Sequence, residues 1–318
     1  MFDRILLPLD RSELAECVLP HAIAIARTFE SQIVLLHVMD TPREARWRRA
    51  MDPLNWQIRK AEAMAYLNQV DARLQAVGVR TETHILEGFA AEQIIGFLDA
   101  HSPQLIILSS HGQSGLSDWG ISSVVHKIAL RARTSVMIVR AAQPAASDVA
   151  GLRYQRILVP LDGTPRAEYV VPAAAVLARE HAADIVLAHV VQRPAMPRRT
   201  PPSREDVELA DRLVERNQVE ATQYLEQLQA RIPGKVEARV LVSDHLTSSL
   251  HELVEHEKTD LVLLSARGDA SQSRGLSGDV ISSLIVQGTT PLIILQENSP
   301  APIVPATLDG PNSESGRL

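Results

Sequence analysis

The chain has 318 residues, of which 45% are hydrophobic, 22% charged and 3% aromatic, and its net charge is −6. That length favours two domains, and the apolar fraction excludes wholesale disorder while leaving Val, Ile, Leu and Ala to build the cores. The acidic balance, with a pI near 6.0, argues against a general nucleic-acid binder. The single cysteine, Cys17, permits no internal disulfide and suits a reducing compartment. The N-terminus runs straight into an apolar strand-like stretch without a signal-peptide pattern, and no segment approaches the roughly 18 apolar residues of a membrane span. A soluble, cytoplasmic protein is expected.

In chain order, the first half reads as strands near 4–9, 33–38, 79–86, 104–109 and 135–139, with helices near 13–29, 55–76, 90–100 and 122–132. The strands are apolar without clean alternation, as expected when helices cover both faces of a parallel sheet. Small residues at 141–151 read as a linker. Strands follow near 156–161, 184–190, 235–242, 260–265 and 291–295, and residues 298–318 read as a disordered tail. The second half repeats the first. Residues 4–38 align without a gap on 156–190, with about half the positions identical, and Leu105–Ser109 aligns on Leu261–Ser265. The predicted fold is therefore two tandem doubly wound α/β domains, 1–141 and 152–297. Each is a five-stranded parallel sheet with helices on both faces.

Ligands in such sheets bind beyond the carboxyl ends of the strands, where strand order reverses. That points to Pro8 and Asp10 after strand 1, to Val38 after strand 2 and to the loop from Ser109, with Asp162, Val190 and the loop from Ser265 as their repeats. Ser12 and Thr164 suit helix caps, and each Asp reads equally well as a cap or turn organiser. His37 and His189, at strand ends, read as structural histidines. His111 lies inside the loop after strand 4 and could donate to an anion; Arg267 takes its place in the repeat. His245, His251 and His256 miss the i, i+4 spacing of a helical metal pair and read as solvated. Two basic clusters, Arg43, Arg46, Arg48 and Arg49, then Arg193, Arg198, Arg199 and Arg204, read as solvated loops or as attractors of an acidic partner.

ILLPLD at 5–10, ILVPLD at 157–162, the His-Val pairs at 37–38 and 189–190, and SSHG at 109–112 leading to VMIV at 136–139 form a joint signature. On these motifs the chain resembles a tandem universal stress protein of the UspA-like family, over nearly its whole length except the tail. The resemblance implies an adenine-nucleotide α-hydrolase-like fold, a role in stress tolerance and, in ATP-binding members, a loop G-x-x-G, nine residues, G-[ST]. Such a loop brings backbone and a helix N-terminus to the phosphates. Fitted here, Ser109 takes the first glycine position, Gly112 is retained, Ser122 takes the third and Ser123 supplies the hydroxyl. In the second unit Ser265 replaces the first glycine, Gly268 and Gly278 are kept, and Asp279 stands at the hydroxyl position. A carboxylate there caps the amides itself and repels a triphosphate.

The resemblance also implies that Asp10, Val38, Asp162 and Val190 line the adenosine side of each pocket. ATP, with Mg²⁺ only alongside it, is expected at a degenerate site in the first unit and poorly or not at all in the second. Ser122 and Ser123 read equally as a simple helix cap. No Walker loop, zinc pattern, nucleophile elbow or H-E-x-x-H occurs. The expected function is a non-catalytic, adenine-nucleotide-responsive stress or signalling module with an unidentified protein partner, contacting neither nucleic acid nor membrane. The alternatives are a nucleotide-free scaffold or a slow ATPase. The units are expected to pair through their last strands, giving a pseudo-two-fold monomer, or a homodimer if that assembly pairs again.

Overall fold

Short runs of Leu, Ile and Val build ten strands. The computed structural model describes residues 1–40, 53–112, 121–141, 151–194, 203–266 and 278–297. In the first unit β1 (Arg4–Pro8), β2 (Gln32–Asp40), β3 (Arg80–Gly88), β4 (Leu105–Ser109) and β5 (Ser135–Val139) alternate with α1 (Val18–Phe29), α2 (Pro53–Ala76), α3 (Ala90–His101) and α4 (Ser123–Arg131). The second unit holds β6 (Arg156–Pro160), β7 (Asp184–Val191), β8 (Val236–Val242), β9 (Leu261–Ser265) and β10 (Leu292–Leu295). Its helices are α5 (Val171–His181), α6 (Arg204–Arg231), α7 (Leu246–His256) and α8 (Gly278–Gln287).

Each unit is parallel, with strand order reversing between β1 and β4 and between β6 and β9. The two five-stranded sheets are not separate. They join through β5 and β10 into one mixed ten-stranded sheet, the two strands running antiparallel with Met137 opposite Ile293. The carboxyl ends of the strands in the two units therefore point in opposite directions.

Both faces of this sheet carry cores that cross from one unit into the other. On one face Ile23 of α1, Leu67 of α2, Leu177 of α5 and Leu225 of α6 belong to one buried cluster. On the other, Phe97 of α3, Ile128 of α4, Leu250 of α7 and Leu284 of α8 belong to a second. Burying a Leu or Ile side chain contributes about 1.5–3 kcal/mol, so these faces hold the sheet between two helical layers.

The helix expected from residue 13 begins instead with a 3-10 turn, Ala15–Cys17, before α1. Pro20 has no amide hydrogen to donate four residues back, so regular α-helix starts only at its own first turn. Residues 142–150 of the expected linker and the tail 298–318 lie outside the described residues.

Where α1 and α5 meet, Tyr154 wedges between two histidines. Its hydroxyl shares a 2.9 Å hydrogen bond with His21 Nδ1, and its backbone amide donates to His181 Nδ1 at 3.2 Å. That leaves the His181 Nε2 hydrogen to donate to Thr28 Oγ1 at 3.3 Å. Burial pushes the His21 pKa down to about 4, and burial with the Arg153 charge lowers that of His181. On the other face Arg140, at the end of β5, donates to Leu284 O at 2.5 Å and Ile285 O at 2.7 Å, capping α8 of the opposite unit.

Two outcomes follow from this seam. Neutral His21 is favoured in the folded state, so stability is fully present above about pH 6.5 and falls as the pH drops towards about 4. One pKa unit is worth about 1.4 kcal/mol, which makes the loss on the order of 3 kcal/mol. Urea unfolding at pH 7.5 and pH 5 should show the drop in the native chain and a much smaller one in His21→Asn; equal drops would contradict this role. Separately, Arg140→Met should lower unfolding stability by about 1–3 kcal/mol, because Ile285 O loses the Arg140 donor while Leu284 O keeps the Gly288 amide at 3.2 Å, and an unchanged urea midpoint would contradict the cap.

Candidate functional site

The ends of β1, β2 and β4 and the first turn of α4 meet in one cleft of about 340 Å³. Pro8, Asp10, Val38, Ser109, His111, Gly112, Ser122 and Ser123 all line it. Residues widely separated in the chain come together because the parallel order places their strand ends side by side.

Asp10 organises the turn after β1. Its Oδ1 accepts from the Ser12 amide at 3.0 Å and the Ser12 hydroxyl at 2.6 Å, while Ser12 Oγ accepts from the Ala15 amide at 3.1 Å. On its other side lies Gly112, where a Cβ would overlap the Asp10 carboxylate. A glycine is needed there for close approach rather than for backbone freedom.

The two serines at glycine positions have structural work. Ser109 Oγ lies 2.9 Å from Leu14 O and 2.7 Å from His111 O, and its one hydrogen can serve either carbonyl. Cys17 Sγ donates to the same oxygen at 3.4 Å, and burial pushes that thiol's pKa up. Ser122 is the N-cap of α4, accepting from the Val125 amide at 3.3 Å. Ser123 is the exposed first residue of the helix, so its amide and that of Val124 lie at the positive end of the α4 dipole.

His37 donates from Nδ1 to Leu9 O at 2.7 Å, since a carbonyl can only accept. Burial holds its pKa low, leaving Nε2 as an acceptor. His111 is buried, and its Nδ1 pairs at 3.0 Å with the Ser110 hydroxyl, which accepts from the Ala141 amide.

Several residues of this site escaped the sequence reading. Ser110 fixes His111 but repeats as Ala266, so the internal alignment gave no signal. Arg11, Asp40 and Arg59 also line the cleft. Arg11 has a φ of 71°, a left-handed conformation uncommon without glycine, and its side chain pairs with Glu62 at 3.0 Å. Arg59 lies on α2, whose alignment with α6 through Tyr66 and Tyr224 needs an offset different from that of the strands.

The second unit forms a cleft of about 380 Å³ at the ends of β6 and β7, lined by Asp162, His189, Val190, Asn217, Glu220 and Tyr224. The turn is repeated: Asp162 Oδ1 accepts from the Thr164 amide at 2.9 Å and hydroxyl at 2.6 Å. His189 Nδ1 donates to Leu161 O at 2.9 Å. Gly278 opens α8, and Gly268 lies outside the described residues, as does Arg267.

His245 and His256 are exposed as expected. His251 departs from expectation: α7 packs beside α8, and its Nε2 sits 3.2 Å from Ser283 Oγ, half-buried. Of the basic clusters, Arg193 and Arg204 are exposed and paired with Asp211 and Glu208; the others lie outside the described residues.

The sequence model of the Universal stress protein family matches residues 1–140 and again 153–296. Universal stress protein MJ0531 of Methanocaldococcus jannaschii is 27% identical over 146 residues, covering 44% of this chain and 83% of that protein. A solved universal stress protein of Archaeoglobus fulgidus, at 16% identity, covers 93% of this chain and 99% of its own with a TM-score of 0.64. A solved putative universal stress protein of Pseudomonas aeruginosa, also 16% identical, covers 92% and 93% with a TM-score of 0.63. The two solved structures share the fold over nearly the whole length, and the doubled match accounts for the internal repeat. The chain belongs to the universal stress protein family.

Proposed function

We propose that the first unit binds an adenine nucleotide, ATP with its accompanying Mg²⁺, and that the protein is a cytoplasmic, non-catalytic stress or signalling module responding to it. The observation that carries this reading is the convergence of Asp10, Val38, Gly112 and Ser123 on one cleft at the strand-order reversal. Asp10 and Val38 would hold the adenosine side. Gly112 and the amides of Ser123 and Val124 would face the phosphates, where a helix dipole and free N–H groups favour anions. The one nearby thiol, Cys17, is buried, bonded to Ser109 and held protonated, while His37 keeps Nε2 as an acceptor in the cleft with no second group bonded to it among the described residues. This supports binding with slow hydrolysis at most. In the second unit, Asp279 at the repeat of Ser123 argues against ATP.

One observation favours the scaffold alternative. The hydroxyls of Ser109 and Ser122, at two glycine positions, are spent on internal hydrogen bonds. Titrating Mg-ATP into the nucleotide-stripped chain by calorimetry separates the readings. One micromolar site per chain is expected. Ser123→Asp, which imports the second unit's carboxylate, should weaken it at least about tenfold, or 1.4 kcal/mol. Two sites would refute the asymmetry, and no heat together with no retained nucleotide would put the scaffold first.

A further inference from the structure

The helix α2 buries one face and turns an uncharged one outward. Ala63, Leu67, Val70 and Leu74 are buried, and the helix packs on β2 and β3. At about 100° per residue, Leu54, Ile58, Ala61, Ala65, Ala72 and Ala76 fall on the opposite side, and all six are exposed. Leu54 is 61% exposed, Ile58 47% and, at the border of this face, Met64 43%. The outward face of a surface helix is ordinarily polar or charged.

The charges of α2 are spent inside their own unit. Glu62 pairs with Arg11 at 3.0 Å, Arg73 with Glu16 at 2.6 Å, and Arg59 donates to Asp40 O at 3.1 Å. Lys60 lies over the ring of Trp56, and Asp71 accepts from Gln75 and Thr81. The repeat shows that the fold does not require such a neutral face. Tyr66 aligns on Tyr224, and the buried Ala63 and Leu67 align on the buried Ala221 and Leu225. In that register Leu54 and Ile58 stand where α6 has Arg212 and Arg216, and Ala65 stands where it has Gln223. Arg216 pairs with Glu220 at 2.9 Å along the helix, as a solvated face does.

The outward face of α2 is complementary to itself. Its bulky residues lie in the first half of the helix and its small ones in the second. A second copy laid antiparallel across it, about a two-fold axis at Ala65, sets Leu54 against Ala76 and Ile58 against Ala72. Ala61 then meets Gln69, Ala65 meets Ala65, and Met64 meets Met64 beside the axis. Large side chains face small ones along the helix, and alanine at the centre lets the two backbones approach closely. The flanking charges agree with this pairing. Glu62 comes level with Asn68, and Arg73 with Gln57, so like charges are not opposed.

From this arrangement we infer that two copies of the chain associate through α2, as an isologous antiparallel helix pair. One helix pair covers less than the roughly 1,200 Å² of a standard interface, so the dimer is reversible, with a Kd on the order of tens of micromolar. The contact is distinct from the β5–β10 pairing inside the chain. It goes beyond the nucleotide reading of the first unit and stands if that reading fails.

Equilibrium sedimentation of the full-length chain, from well below that concentration to well above it, is the test. The mass should rise from the 34.9 kDa of one chain towards twice that value. Ala65→Glu and Ala65→Lys each place like charges on the axis, and each should weaken association at least tenfold. Mixing the two variants should restore it, because Glu then faces Lys; such rescue requires that residue 65 meet its own copy. Ile58→Arg, which imports the residue of the repeat, should weaken association similarly, while Gln223→Glu on α6 should leave it unchanged. These positions are exposed, and circular dichroism with the urea midpoint verifies each fold. Should an Ala65 variant fail to fold, Ile58→Arg against Gln223→Glu carries the test. A mass of 34.9 kDa at every concentration would overturn the inference and leave the face to another segment of the chain or to a different protein. Association that survives both Ala65 variants, or that is lost in both without recovery on mixing, would overturn it as well.

Discussion

The antiparallel pairing of β5 with β10 is the contact on which the architecture rests. Leu292, Ile293 and Ile294 pair with Ile138, Met137 and Val136, and this short ladder converts two parallel sheets into one. Without it each unit would expose a largely apolar strand edge, a surface prone to pairing with another chain. With it, helices on each face bury residues from both units, and Arg140 and the His21–Tyr154–His181 cluster tie the seam on opposite faces. The pairing has a second consequence. Because it is antiparallel, the strand ends of the two units point away from each other, so the clefts form at opposite edges and cannot merge into one site.

Within each unit the same small frame recurs: a carboxylate closing the turn after the first strand, a hydroxyl answering it, and a histidine bound to the carbonyl at the strand end. These are the parts that duplication has kept. Several parts that differ lie at the clefts. Arg11 and Arg59 have become Gly163 and Asn217, and Ser123 has become Asp279. A frame kept by hydrogen bonding while its lining changes charge is what would be expected if the two copies had separated their roles.

Much of this was legible in the sequence, for physical reasons. Strands buried on both faces must be continuously apolar, which made β1, β4, β6 and β9 plain, and the gapless repeat made the two-unit organisation plain. Cleft residues at strand ends, such as Asp10 and Val38, could be found because parallel topology dictates where ligand-facing ends lie. What stayed hidden depended on geometry that sequence does not encode locally. Arg11 gives no sign of its left-handed backbone, and Ser110 acts only through the fold of its own loop. His251 acquires its partner because two helices pack together. The 3-10 start of the first helix was readable in principle from Pro20, whose missing amide hydrogen delays the regular helix.

We propose that one chain carries two clefts of one ancestry, of which the first alone takes Mg-ATP. Hydrogen exchange by mass spectrometry on the intact chain, with and without Mg-ATP, tests it most directly, because it reports where protection arises. Protection is predicted in the first unit, at residues 9–12, 36–40, 109–112 and 122–126, with none at 161–164 and 188–191. Protection at both sets, or at the second alone, would contradict it.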